Sequence, residues 1–419
     1  MGVTSWLSAL AAGRPHLLVV EVPGQAALRR TLERLVRERG WVLATGPADA
    51  DVLVVCGVPS AAFGEAVESA WDAMAVPRAR LELTGDVASG PLLDHAVQQL
   101  ADRLAQRRDH ATRDTAAGPE QPSTGTDQPV ESPDAGGMDH SGMTEDVPAM
   151  DHAAMGHDAP PEDEAGADMA EMDHAAMGHD MGGMSMELPG GLSMADRAPD
   201  RDGLMLDVLH LRLGPLLRSW PAGLVLDVVL QGDVVQAATC STVDAQPGGP
   251  GQGRQADAAV ARLDSAARLL DLAGWEAAAD SARRLRDRIE VDGSTPATTT
   301  DLARLTARVR RSLSLRFALR DLGVLTARRA GELGITGPAA RADGDARERL
   351  LQWLDEACDA RAPEPDPARC AAAVVAALPE LVVGLELAGL RLVVASFDPD
   401  VACLLERDHV STGQGPSVG

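Results

Sequence analysis

A long acidic stretch, residues 108–200, interrupts the chain of 419 residues and contains no aromatic side chain. Between Asp109 and Asp200 it carries 21 acidic residues against two arginines, so a local charge of about −19 accounts for most of the net charge of −25. Its apolar residues follow neither a helical nor a strand period. A segment of this composition buries too little apolar surface to offset the entropy lost on ordering. We therefore expect a disordered linker, which leaves residues 1–107 and 201–419 as separate domains.

The part before the linker alternates short apolar runs with amphipathic stretches. The apolar runs are typical of buried strands and lie at 16–23, 41–46, 51–57 and 79–85. The amphipathic stretches have leucine and alanine at helical spacing and lie at 24–40, 61–74 and 92–107. Short buried strands that alternate with helices indicate a parallel sheet covered on both faces. We predict an α/β domain with a parallel sheet.

The part after the linker shows two kinds of pattern. Residues 203–241 contain apolar runs on either side of the turn Gln231-Gly232-Asp233, which is typical of a small antiparallel hairpin. Leucine then recurs at spacings of three and four residues, and the helical patterns cover 257–290, 301–320, 345–358 and 367–378. We predict an α+β domain, in which a small antiparallel sheet leads into a helical bundle.

Charge and hydropathy exclude some classes of partner. A net charge of −25 would repel phosphates, so we expect no nucleic acid partner. The most apolar stretch, 371–396, is interrupted by a proline and three charged residues, so we predict no direct membrane span. The N-terminus has no basic residues before its short apolar run, unlike a signal peptide. The five cysteines include no Cys-x-x-Cys pair, which favours a reducing compartment. We predict a cytoplasmic protein, with peripheral binding at the inner face of the cell membrane left open.

Residues 48–85 carry an ordered set of motifs. An Ala-Asp-Val strand enters a turn at Gly57, a helix ends in Trp71-Asp72 and Met74, and Pro77-Arg78 precedes another strand. This order resembles the 20 kDa subunit of respiratory complex I, a relative of the small subunit of NiFe hydrogenases. The resemblance implies the parallel α/β fold of that subunit.

Two stretches after the linker carry a second resemblance. Leu333–Pro338 reads Leu-Gly-Ile-Thr-Gly-Pro and is followed by Arg341 and Gly344. This motif is similar to one in the 49 kDa subunit of complex I, a relative of the hydrogenase large subunit. Residues 213–235 are similar to the N-terminal hairpin of the same subunit. Together the resemblances imply a fusion of two neighbouring subunits, with complex I-like or hydrogenase-like hydrophilic-arm and membrane subunits as partners.

The residues that carry chemistry in these families are missing at the matching positions. The resemblance implies an iron–sulfur cluster on four cysteines, but Cys56 is the only cysteine in residues 1–107. It also implies a Gly-Pro-Gln-His loop and a tyrosine at a quinone site, whereas the loop reads Gly214-Pro215-Leu216-Leu217 and the chain has no tyrosine. We interpret His210 as a strand-face residue. We therefore predict degenerate sites, no Fe–S cluster and no catalysis by the chain alone.

The linker holds 11 of the 14 methionines, five of the ten histidines lie within its residues 138–180, and the sequence MDHAAMGHD occurs there twice. Each of these histidines follows a methionine by two residues, so that in an extended chain thioether and imidazole point the same way. Such a soft pair suits Cu(I), and the repeats resemble those of bacterial copper-resistance proteins. The candidate metal ligands are Met138, His140, Met150, His152, Met155, His157, Met172, His174, Met177 and His179. The alternative is a repeat that only keeps the linker soluble, and the sequence leaves both open.

Asp398 and Asp400 form an Asp-x-Asp pair, which we interpret as a solvated turn because no second acidic cluster lies nearby in sequence. Two functions therefore compete. The first is a non-catalytic complex I-like or hydrogenase-like subunit, or an assembly protein, of a membrane-associated complex related to NADH-quinone oxidoreductase. The second is a Cu(I)-binding protein or metallochaperone that acts through the Met/His linker.

Overall fold

A four-stranded parallel sheet forms the centre of the first part of the chain. Its strands are β1 (His16–Glu21), β2 (Val42–Leu43), β3 (Val52–Cys56) and β4 (Ala79–Leu83), in the order β2-β1-β3-β4. β3 is buried at every position, which accounts for its continuous apolar sequence. The computed structural model describes residues 14–85, 89–116, 196–199, 205–243, 258–359 and 367–404.

Helices cover both faces of this sheet. They are α1 (Ala26–Glu38), α2 (Ala61–Ala73), α3 (Ser89–Ala101) and α4 (Arg103–Ala116). Val54 of β3 packs with Leu32 of α1, whereas the next residue, Val55, packs with Phe63 of α2. Successive strand residues thus enter two separate cores, as the pleat of a strand requires. The predicted parallel α/β fold is confirmed.

Helix α4 continues nine residues beyond residue 107, where the sequence predicts the end of the first domain. The buried guanidinium of Arg78 binds both carboxylate oxygens of Asp109, at 2.7 and 2.9 Å. The side chain of Gln106 accepts a hydrogen bond from the backbone N–H of Arg78 at 2.9 Å. These contacts hold α4 against the start of β4. The sequence pattern missed them because acidic composition alone does not reveal a buried partner.

A four-stranded antiparallel sheet opens the second part. Its strands are β5 (Asp196–Pro199), β6 (Met205–Leu213), β7 (Leu224–Gln231) and β8 (Val234–Thr242), in that order. β5 lies inside the range 108–200, for which the sequence predicted no regular structure. β7 is mostly buried, whereas most of β6 is exposed. The predicted hairpin corresponds to β7 and β8.

The helices of the second part form a bundle beside this sheet. They are α5 (Ala258–Leu272), α6 (Glu276–Asp292), α7 (Pro296–Arg311), α8 (Leu313–Leu319), α9 (Ala327–Leu333), α10 (Gly337–Arg341), α11 (Ala346–Asp359), α12 (Pro367–Val382) and α13 (Leu387–Phe397). One core joins α5, α6, α7 and α11, and a second joins β7, α12 and α13. The predicted α+β fold is confirmed. Among the described helices, none has the length and apolar character that a membrane crossing requires.

Arg349 of α11 fixes the segment 321–344, which carries the second resemblance. The side chain is fully buried and donates to the carbonyl oxygens of Gly323 at 2.8 Å and Gly344 at 3.1 Å. It also donates to the hydroxyl of Ser396 on α13 at 2.9 Å. These bonds satisfy a buried cation with neutral oxygens and tie the segment to two helices.

Candidate functional site

Seven charged side chains meet where the first part of the chain contacts the second. We call them the interface cluster, and they are Glu21, Arg29, Glu33, Asp264, Arg268, Arg286 and Asp287. β1 ends at Glu21, α1 supplies the next two residues, and α5 and α6 supply the others. Two of the hydrogen bonds in the cluster join residues that are far apart in the sequence, by 235 positions in one case and by 253 in the other. The two parts of the chain are therefore in direct contact within one compact unit.

Arg29 of α1 binds three carboxylates. Its guanidinium donates hydrogen bonds to Glu21, to Glu33 at 2.7 Å and to Asp264. Glu33 lies one helical turn along α1 and so shares a face with Arg29. Burial alone would lower the pKa of Arg29, but the carboxylates of Asp264, Glu33 and Glu21 raise it well above its usual value. Arg29 is a permanent positive charge that is neutralised inside the protein.

Arg286 of α6 is fully buried and binds two of the same carboxylates. It donates to Glu33 at 2.9 Å and to Asp264, and to Asp287 at 2.9 and 3.0 Å. Burial would raise the pKa of Glu33, but Arg29 and Arg286 lower it to about 2. Burial would also raise the pKa of Asp264, but Arg29 and Arg286 hold it well below its usual value. Both carboxylates stay ionised near neutral pH, where neither can serve as a proton donor.

Further pairs extend the contact along α1. Arg30 donates to one carboxylate oxygen of Glu290 at 2.9 and 2.7 Å, and Arg37 binds Asp287. Helix α1 thus presents a row of arginines to acidic side chains of α5 and α6. In such a buried network the cost of desolvation offsets much of the attraction. The network therefore fixes the register of the helices more than it adds stability.

The loop between β6 and β7, residues 214–223, enters the first part of the chain. Leu216 packs in the core that β3 shares with α2. Arg218 donates to the carbonyl oxygen of Leu43 at 3.0 Å and pairs with Asp271 of α5 at 3.0 Å. The 49 kDa resemblance implies a Gln-His pair where this loop has Leu216 and Leu217. The loop therefore holds two parts of the chain together through an apolar side chain and an arginine.

Gly214 sets the course of this loop. Its φ angle is +90°, and an added Cβ would lie 2.1 Å from the carbonyl oxygen of Leu224. The same carbonyl accepts a hydrogen bond from Nε1 of Trp220 at 2.8 Å. Any other residue at position 214 would collide with the backbone of β7, so the tight start of the loop requires glycine.

Two cavities flank the interface cluster. The larger has a volume of about 530 Å³ and lies between the charged residues Asp264 and Arg268 and the apolar residues Trp353 and Phe397. The smaller has a volume of about 70 Å³ and lies between β1, α1 and the loop 214–223. The larger cavity has the size of a small-molecule site, and both charged and apolar side chains line it.

Asp398 lines the larger cavity and corrects one interpretation of the sequence. Its side chain is only 10% exposed and accepts hydrogen bonds from Arg268, at 2.7 Å, and from Ser265. Burial raises the pKa of Asp398, and Arg268 opposes this effect. The solvated turn predicted for the Asp-x-Asp pair is wrong for this residue, because the end of α13 meets α5, although Asp400 is exposed.

The structure also shows the surroundings of Cys56 and His210. Cys56 ends β3 and is fully buried, and burial raises the pKa of its thiol, which stays protonated. His210 is exposed in β6 opposite Val229, in agreement with its interpretation as a strand-face residue. Neither residue belongs to the interface cluster.

The predicted metal ligands lie outside the described residues. They are Met138, His140, Met150, His152, Met155, His157, Met172, His174, Met177 and His179. Within the described ranges, no group of three or more His, Cys, Asp or Glu side chains is placed to hold a metal ion. The case for copper therefore rests on the sequence of the linker.

The likeness of this chain to known proteins is distant. No family model matches the chain, and no curated protein matches it. Among solved structures, it is similar to one chain of the membrane-bound sulfane sulfur reductase, an archaeal respiratory membrane complex. The two chains are 14% identical with a TM-score of 0.34, over 47% of this chain and 98% of that one.

Proposed function

We propose that the chain is a non-catalytic complex I-like subunit, or an assembly protein, of a membrane-associated complex related to NADH-quinone oxidoreductase. The motifs in residues 48–85 and 321–344 suggest two neighbouring subunits joined in one chain. The observation that carries the proposal is the interface cluster, in which α1 neutralises the charges of α5 and α6. A fusion of subunits that retained their mutual contact would need such an interface.

The chemistry of the cluster supports a holding role. A general acid or base works best with a pKa near the working pH. Arg29 and Arg286 move the pKa values of Glu33 and Asp264 away from neutrality, and burial does the same for the thiol of Cys56. The charged groups bind one another, so their contribution is to orient α1 against α5 and α6.

The loop 214–223 supports the loss of quinone binding. Leu216 replaces a polar residue of the resembled family and packs in the core of the first part. An apolar side chain in this place secures the loop but offers no hydrogen bond to a quinone oxygen. The proposed role is therefore to occupy a place in an assembly, with the redox chemistry left to other subunits.

Affinity purification of the tagged full chain from its own cells, in mild detergent, tests this function. We expect complex I-like or hydrogenase-like hydrophilic-arm or membrane subunits in a fixed ratio to the chain. Recovery of the chain alone would overturn the proposal. Iron analysis and an EPR spectrum of the reduced protein test the loss of redox chemistry, which a stoichiometric cluster signal would contradict.

The Met/His repeats favour a second candidate, and we propose Cu(I) binding as the alternative function. Its support is the set of five Met-x-His units in the linker. Soft thioether and imidazole ligands suit Cu(I), and binding should weaken below about pH 6.5 as the imidazoles take up protons. If copper is the cargo, the chain would carry it on the linker.

Titration with Cu(I) against a coloured chelator tests the alternative. We expect at least one tightly bound ion per chain, lost when the five histidines of the Met-x-His units are changed to alanine. The matched control changes the five histidines outside the Met-x-His units, which are His16, His95, His110, His210 and His409. Equal loss in both variants, or less than one ion per chain, would remove this candidate.

A further inference from the structure

Helix α8 and the end of α7 form a surface that the interface cluster does not use. Its apolar side chains, Leu313 and Phe317, are 67% and 72% exposed, and no other large hydrophobic side chain in the described ranges is as exposed. They lie four residues apart in α8 and therefore on one helical face. We call this surface the basic strip, made of Arg308, Arg310, Arg311, Leu313, Arg316, Phe317 and Arg320.

The charge of this region is opposite to that of the chain. Residues 302–331 contain eight arginines and a single acidic residue, Asp321, for a local charge of about +7. The whole chain carries −25. The positive charge of this stretch would therefore attract a negatively charged partner to the strip.

The arginines of the strip are only partly neutralised. Arg310 pairs with Asp355 at 2.9 Å, and Arg320 pairs with Asp321 at 3.1 Å. Both pairs are exposed to solvent. Arg311 and Arg316 form no ion pair with a carboxylate among the residues that the structure describes. Arg316 follows Leu313 by three positions, so it flanks the apolar face of α8. Positive charge and exposed apolar surface therefore occur side by side.

We infer that the basic strip docks on the surface of an anionic lipid membrane. Lipid headgroups offer a continuous layer of negative charge to the arginines, while Phe317 and Leu313 enter the boundary between headgroups and acyl chains. The acidic remainder of the chain is repelled by the same surface, which fixes the orientation of the docked protein. The strip thus combines the two attractions of a peripheral membrane protein.

A second copy of the chain fits the strip less well. A stable protein interface buries about 800 Å² on each partner, far more than two side chains supply. In a symmetric contact, the arginines of the two copies would also face each other and repel. The inference goes beyond the proposed function and can fail separately from it, because vesicle binding requires no partner subunit.

Cosedimentation of the full chain with lipid vesicles tests the inference. We expect binding to mixed phosphatidylcholine–phosphatidylglycerol vesicles, none to pure phosphatidylcholine vesicles, and a loss of binding as salt is added. The assay is run at about 0.1 M salt, where a Debye length of roughly 10 Å screens acidic residues far from the strip. Equal binding to both kinds of vesicle, or to neither, would overturn the inference.

Three variants locate the contact. Phe317→Ser should lower the partition coefficient about tenfold or more, given the usual gain from burying a phenylalanine. Arg311→Gln combined with Arg316→Gln should lower it roughly 25-fold, at about fivefold for each arginine near an anionic surface. Val291→Ser is the matched control, because Val291 is 60% exposed but lies between Glu290 and Asp292.

All four substituted side chains are exposed, so an unchanged melting temperature will show that the variants fold. Vesicle binding that survives Phe317→Ser, or that falls equally with Val291→Ser, would contradict docking through the strip. A dimer in sedimentation equilibrium that Phe317→Ser dissociates would assign the strip to a second copy and overturn the membrane inference.

Discussion

The interface cluster and the basic strip are both rich in arginine, but burial gives them opposite properties. In the cluster, Arg29 and Arg286 are buried, and each binds three carboxylates. In the strip, Arg311 and Arg316 are exposed to solvent. A buried guanidinium without its carboxylates would cost several kcal/mol, whereas an exposed one is solvated by water. The comparison shows that the same residue type organises a contact inside the protein and a surface outside it.

Removal of a carboxylate from the cluster should have the largest effect. Asp264→Ala leaves Arg29 and Arg286 buried with one shared partner fewer, and breaking a buried pair in this way costs about 3–5 kcal/mol. We expect the free energy of urea unfolding to fall by this amount. The control, Asp301→Ala, removes an exposed partner of Arg288 and should leave that free energy almost unchanged. Equal losses would end the contrast between buried and exposed pairs.

Acid should weaken the cluster through Glu33. Its pKa is lowered to about 2 in the folded protein, so folding favours its ionised form. This contribution, on the order of 3 kcal/mol, is present above the unfolded pKa and is lost as the pH falls from about 5 towards 2. Urea unfolding over this range measures it.

Glu33→Gln should make the fall in the free energy of unfolding between about pH 5 and pH 2 shallower. Asp398 acts in the opposite direction, because its raised pKa means that folding favours its protonated form, and its contribution grows as the pH falls. Wild type and Glu33→Gln with the same pH dependence would show that Glu33 is not held ionised by the cluster.

The loop 214–223 allows a smaller test inside the interface. Leu216→Ala removes a side chain that packs in the core of the first part and should cost about 2 kcal/mol, since the site is only partly buried. Its neighbour Leu217 is 37% exposed, and Leu217→Ala should cost a few tenths of a kcal/mol at most. Chemical denaturation of both variants gives the comparison. A larger loss for Leu217→Ala would mean that the loop is anchored differently.

The basic strip should show the smallest effect on stability. Arg316→Gln removes an exposed charge without a described ion pair, and such surface changes usually stay within about 0.5 kcal/mol. Differential scanning calorimetry should give nearly the wild-type melting temperature. A loss as large as that of Leu216→Ala would show that Arg316 has a structural role, and the strip would no longer contrast with the cluster.

The fold could be predicted because its main signals are local. The continuous apolar run at Val52–Cys56 indicates a strand covered on both faces, and the structure buries every residue of it. The end of the first part was harder to predict from the sequence. Helix α4 continues past residue 107 because Asp109 meets Arg78, which is 31 positions away in sequence. The composition of a short stretch of sequence does not reveal a contact between residues that are 31 positions apart.

The interface cluster was not predicted, although part of its signal is local. Arg29 and Glu33 have the spacing of a helical ion pair, and Asp264 directly follows Leu263, one of the leucines at helical spacing in α5. That they belong together depends on contacts more than 200 positions apart, which no local pattern encodes. For Asp398, likewise, the partners Arg268 and Ser265 lie at least 130 positions away.

The ion pairs between α1 and α6 have a consequence for how strongly the two parts need to bind. Since both belong to one chain, dilution cannot separate them, and their contact forms at a fixed ratio of one to one. The cluster therefore does not have to provide the binding affinity that would keep two independent subunits together. Its arginines have only to select the correct pairing of surfaces over the incorrect ones.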